Sequence, residues 1–174
     1  MSDTHTLRTI EELIETLRLE KHPEGGWYRE IYRSPERIAP HCLSGRHEGE
    51  RCLCTHIFFL LRGNDISRFH RLQSEELWHH YQGSPLTLHT LTPQHGHTPL
   101  SLGPHTHPGA APCVVIPAQT WFAAHCDDPD SYTLVGCTVF PGFEFSDFEL
   151  ARRNALVEQY PSYRALIDRF TDPQ

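Results

Sequence analysis

The chain has 174 residues, with 15 Lys and Arg against 22 Asp and Glu, for a formal charge of −7 at pH 7. That length suits one domain, 1–174, and buries roughly 70% of the unfolded surface. The acidic balance lacks the basic footprint that a phosphate backbone requires, which argues against nucleic acid and acidic membrane surfaces as partners. The longest apolar run, Ile57–Leu61, is too short to span a bilayer, and no basic segment leads into an apolar one at the amino terminus. A cytoplasmic protein is expected. The six cysteines, Cys42, Cys52, Cys54, Cys113, Cys126 and Cys137, form no C-x-x-C pair, so reduced thiols are expected. Fourteen histidines are the compositional peculiarity.

Ile10, Leu13, Ile14 and Leu17 recur at helical spacing among glutamates, which predicts a short amphipathic helix near 8–19. His22-Pro-Glu-Gly-Gly26 breaks the chain, and Trp27–Arg33 has strand composition. Residues 34–52 read as an exposed loop. Short apolar runs then predict strands at Thr55–Leu61, Ile66–His70, Glu76–Tyr81, Leu86–Leu91, Cys113–Ile116, Trp121–His125, Tyr132–Phe140 and around Phe143–Phe145. Residues 93–112 read as a Pro- and Gly-rich surface loop with solvated histidines, His95, His97, His105 and His107. Asp147 is placed to cap a helix running to Gln159, which Pro161 interrupts before Tyr163, Leu166, Ile167 and Phe170 resume the helical spacing. Many short strands with helices only at the ends predict an all-β antiparallel sandwich or barrel.

The stretch from Gly63 to Gly83 carries most of the chemistry. Glu76 followed after six intervening residues by Gly83 fits the end of the motif G-x5-H-x-H-x3,4-E-x6-G, with His70 on its first histidine. Cys113–Phe122 is recognisable as the second motif, G-x5-P-x-G-x2-H-x3-N. The chain thus resembles a cupin. Together with His22-Pro-Glu-Gly-Gly-Trp-Tyr-Arg-Glu30, Phe69-His-Arg71, Glu76-Leu-Trp78, Val115-Ile-Pro-Ala118 and Gly136–Phe145, it is similar to the "cupin 5" subfamily from about Leu17 to Tyr160. The resemblance implies a jelly-roll barrel, usually dimeric, structurally like the sugar-nucleotide 3,5-epimerases and without a settled activity. Leu72 takes the second histidine's place, Phe122 the last histidine's and Gln119 the glycine's, so the usual metal set is incomplete and no cofactor is expected.

The leading expectation is a metal-independent isomerase or epimerase acting on a carbonyl-bearing sugar or related small molecule. His70 would be the base and Glu76 would orient its ring, with Tyr81, Tyr28 or Tyr32 as the acid, as a tyrosine is in the resembling epimerases. Arg29 either clamps a ligand anion or pairs with Glu144 or Glu76. Glu76, Trp78 and His80 share one face of a regular strand. Ser67, Trp78, Gln119, Trp121 and Glu144 complete the candidate ligand-binding set. A metal-dependent cupin with non-standard ligands and a metabolite-binding module without turnover are the alternatives, and a homodimer is the expected assembly.

Overall fold

The computed structural model describes residues 9–172. Its elements in chain order are α1 (Ile10–Leu17), β1 (Glu20–Lys21), β2 (Trp27–Arg33), β3 (Arg37–Ile38), β4 (Arg51–Cys52), β5 (Thr55–Arg62), β6 (Ile66–Leu72), β7 (Glu75–Gly83), β8 (Leu86–Thr92) and β9 (Gly96–Leu102). They continue with β10 (Cys113–Ile116), β11 (Trp121–Cys126), β12 (Tyr132–Phe140), β13 (Phe148–Leu150), α2 (Arg153–Gln159) and α3 (Arg164–Arg169). A six-stranded sheet, β1-β2-β5-β12-β7-β10, faces a five-stranded sheet, β13-β6-β11-β8-β9. The strand pairings within both are antiparallel, the arrangement of a jelly-roll barrel with helices at its two termini.

Alternation builds the interior. Phe59 and Leu61 on β5, Trp78 on β7, Leu86 and Leu88 on β8 and Phe122 on β11 meet between the sheets. A second core lies on the outer side of the five-stranded sheet, where Phe69, Leu91 and Trp121 pack against Leu156, Val157, Ile167 and Phe170 of the carboxyl-terminal helices. Helix α1 starts on a capping box, in which Thr9 N–H donates to Glu12 and Glu12 N–H to the Thr9 hydroxyl. It buries Leu13 against Leu19, Leu60 and Leu134 on the outer side of the six-stranded sheet. Among the described residues no helix is long and apolar enough to cross a membrane.

Three expectations need correction. The segment 93–112 contains β9, which pairs with β8 from Gly96 to Leu102; an edge position tolerates Pro99, whose missing N–H would break a central strand. His97 is therefore not a solvated loop residue: its Nε2 lies 2.9 Å from His89 Nδ1, and His89 Nε2 lies 3.3 Å from His125 Nδ1. The last strand is β13 rather than Phe143–Phe145, which ends in a short 3-10 turn over Phe145–Asp147. Asp147 caps no helix. It is buried and accepts two hydrogen bonds, each of 2.7 Å, from the Arg51 guanidinium, which also donates to the Glu48 and Glu50 carbonyls at 2.7 and 2.9 Å. Residues 34–52 are consequently a tethered excursion carrying the β3–β4 ladder.

Removing one partner of this buried, bidentate pair leaves an uncompensated charge, so Asp147→Ala should cost about 3–5 kcal/mol in urea unfolding. A loss below about 1 kcal/mol would show that the pair contributes nothing to holding the excursion.

Candidate functional site

Residues of β2, β5, β7 and β12, the 18–22 segment and the 143–145 turn line a cavity of about 480 Å³. Its wall includes His22, Tyr28, Ile57, Glu76, Cys137 and Val139, and its rim includes Arg18, Arg29, Arg33, Glu30 and Glu144. Arg33 is committed to that rim: it donates to both Glu30 oxygens at 3.0 and 2.8 Å, to Glu144 Oε1 at 2.8 Å and to the Phe143 carbonyl at 3.1 Å. Arg29 instead donates to the Leu17 carbonyl at 3.2 Å and has no carboxylate partner among the described residues.

Glu76 points inward with Trp78 because both occupy the same parity of β7, in register with Val139 and Cys137 of β12. Its Oε2 is buried with no hydrogen-bond partner among the described residues, as is Trp78 Nε1. Loss of water pushes the Glu76 carboxyl up to about 7, against the opposing influence of the Trp78 and Cys137 side chains. Burial and the nearby Glu76 likewise hold the Cys137 thiol well above its ordinary value.

Behind this wall lies a second polar group. Gly25 and Gly26 adopt φ of 114° and 70°, and a Cβ on Gly25 would run into the Ile66 backbone, so the turn after His22 can press against β6 only with glycine there. The turn delivers Glu24 into the interior, where Oε1 accepts from the Ser67 hydroxyl at 2.8 Å. Glu24 Oε2 lies 3.2 Å from His70 Nε2 and 3.3 Å from His22 Nδ1.

Two main-chain groups fix the protons. His70 Nδ1 is 2.7 Å from the Arg68 carbonyl, which only an N–H can satisfy, so a neutral His70 carries its lone pair on Nε2 and accepts there from a protonated Glu24. The Glu24 main-chain N–H donates to His22 Nδ1 at 3.3 Å, which leaves the His22 proton on Nε2. Burial supports this neutral set: it pushes His22 down to about 4 and His70 down to about 3, and it raises Glu24 with help from the charge of Glu76.

Of the residues singled out in the sequence, Arg29, Glu76 and Glu144 share the cavity. His70 lies behind it, packed on Phe122 at 4.1 Å between ring centroids, and its orienting carboxylate is Glu24 rather than Glu76. Ser67 holds Glu24. Trp78 is core, and Trp121 belongs to the second core, with the Arg71 guanidinium 4.5 Å over its ring. Gln119 is exposed, donates to Gln73 and adopts φ of 62°, the left-handed backbone for which the motif's glycine is suited. Tyr81 is on the outer face of the six-stranded sheet, bonded to His56 Nε2 at 2.9 Å, whereas Tyr28 lines the cavity. It is Arg33, not Arg29, that pairs with Glu144. His22, Glu24 and Cys137 were not singled out individually; the His22-Pro-Glu-Gly-Gly motif was the available signal for the first two.

The donor set does not suit the metal that many cupins carry. Both His70 nitrogens are engaged, and Leu72 and Phe122 offer no lone pair. Among the described residues no three His, Cys, Asp or Glu side chains converge as ligands.

The family model described as Cupin superfamily (DUF985) matches residues 11–151. The chain belongs to that family. It is similar to a Shewanella oneidensis protein of known crystal structure, with 35% identity over 97% of this chain and 100% of that one and a TM-score of 0.86. A hypothetical protein from Leishmania major gives 30% identity over 95% and 100% of the two chains, with a TM-score of 0.84. Oxalate decarboxylase from Bacillus subtilis, at 8% identity over 88% of this chain and 37% of that one, shares the fold with a TM-score of 0.53. No curated protein matches the chain.

Because the folded protein retains the Glu76 proton to about 7 while the unfolded chain releases it near 4.5, Glu76 makes folding less favourable as pH climbs through that window. Glu76→Gln should therefore gain up to about 3 kcal/mol on wild type between pH 4.5 and 7, read from denaturant midpoints. A pH-independent difference would contradict the raised pKa.

Proposed function

We propose that the barrel is a small-molecule isomerase or epimerase that moves a proton beside a carbonyl, with Glu76 as the base. One observation carries the reading: a buried carboxyl in the wall of a ligand-sized cavity has one oxygen with no hydrogen-bond partner among the described residues, with only the Trp78 and Cys137 side chains acting on it as polar neighbours. Structural carboxylates are ordinarily paired when buried, as Asp147 is in this chain. A carboxyl that exchanges its proton near neutrality is suited to both taking and returning it. Arg29 at the rim supplies a cation for a carboxylate or phosphate on a sugar or related metabolite. Tyr28 stands in the same wall and is our choice for the acid.

The assembly we favour is a homodimer formed through the outer face of the six-stranded sheet, where Tyr32, Tyr81 and Val115 are exposed. The six free thiols support a reducing compartment, the cytoplasm.

The reading is tested by solvent deuterium exchange, followed by proton NMR, with a panel of oxo acids and keto sugars. Wild-type protein should label the carbon beside the carbonyl of at least one compound, and Glu76→Gln should slow labelling by about 100-fold or more. Equal labelling by both would remove Glu76 from the chemistry, and tight binding without any labelling would make the protein a binding module.

A further inference from the structure

We infer that His22 is the electrophilic partner of Glu76: a neutral imidazole whose Nε2–H donates into the cavity to the carbonyl oxygen of a short oxo acid. The inference rests on Glu76 being the base, and it adds the group that stabilises the product of proton removal together with the substrate class. His22 lines the same cavity as Glu76. Its other nitrogen is held from behind by the Glu24 main-chain N–H at 3.3 Å, so the ring presents a fixed donor and no lone pair to the ligand. Aromatic neighbours fix the ring plane, with Tyr28 and Phe148 edge-on at 4.5 and 5.8 Å between centroids and Phe145 stacked at 6.3 Å. A donor held in this way needs no reorganisation when negative charge develops on oxygen.

In the step itself, the C–H bond beside the carbonyl breaks and its proton passes to Glu76. The electron pair forms the C=C bond of the enolate, and the oxyanion accepts the hydrogen bond from His22. Return of a proton to carbon regenerates the ketone, so no oxidant or co-reactant is consumed. Arg18 and Arg29 at the rim form no salt bridge among the described residues and would receive the substrate's carboxylate.

The probe is 3-nitropropanoate, whose nitronate form places a planar carbon and anionic oxygens beside a carboxylate, as an enolate of an oxo acid does. Wild-type protein should bind the pre-formed nitronate at least about tenfold more tightly than the neutral nitro form, and His22→Leu should lose that preference. His22→Gln, which retains an N–H donor, should restore part of it. The inference is overturned if wild type does not distinguish the two forms, a readout that needs no variant to fold, or if folded His22→Leu keeps the preference. Glu76→Gln should still prefer the nitronate while losing deuterium exchange with 4-oxopentanoate. Loss of exchange in Glu76→Gln with unchanged nitronate binding in His22→Leu would overturn the role of His22 alone. Exchange that survives in Glu76→Gln would overturn the base assignment, whatever His22 does.

Discussion

The buried carboxyl of Glu24 is the constraint around which the functional end of the barrel is organised. It joins a turn at the amino terminus to β6 through Ser67 and His70, and it sits behind His22 in the cavity wall. Four polar side chains in a dry interior are tolerable only if each lone pair and each proton is matched. Here the matching begins from two main-chain groups that cannot change, the Arg68 carbonyl and the Glu24 N–H. They set the tautomer of each neutral imidazole, and burial favours the neutral rings and the protonated carboxyl over an ion pair. Glycine at 25 and 26 is part of the same constraint, because both positions have positive φ and a Cβ there would collide with backbone oxygens of Ile66 and Leu60 respectively.

The two sheets divide the work. Large apolar side chains fill the middle of the barrel, so Trp78 and Phe122 close the floor beneath Glu76 and His70 and withhold water from both. Glu76 lies one alternation from Trp78 on β7, at the boundary between packed core and open cavity. That position explains how a carboxyl can be almost without solvent exposure and still face a space large enough for a ligand. At the rim the charges are arranged differently: Arg33 is saturated by Glu30, Glu144 and the Phe143 carbonyl, which stiffens the turn, while Arg29 donates to the Leu17 carbonyl and has no carboxylate partner among the described residues.

Much of the fold was legible because alternation and turn residues are local signals. Trp27–Arg33, Cys113–Ile116 and Tyr132–Phe140 begin and end where composition places them, and the shared face of Glu76 and Trp78 follows from strand parity alone. What escaped was non-local. β9 is written in residues that resemble a loop because an edge strand admits Pro99, and Asp147 looks like a helix cap until Arg51, nearly a hundred positions earlier, is folded onto it. Within its own motif the nearest carboxylate to His70 in sequence is Glu76, whereas the one that meets its ring is Glu24, more than forty positions earlier. Tyr81 is a different case: strand parity alone sets it opposite Glu76, and the structure places it on the outside with His56.

The proton arrangement behind the cavity wall is the central claim, and ¹⁵N NMR of histidine-labelled protein at pH 6 reads it directly, with His22→Gln and His70→Gln providing assignments. Both rings should be neutral, His70 carrying its proton on Nδ1 and His22 on Nε2. An imidazolium signal from either ring at that pH, or a His22 proton on Nδ1, would contradict the account.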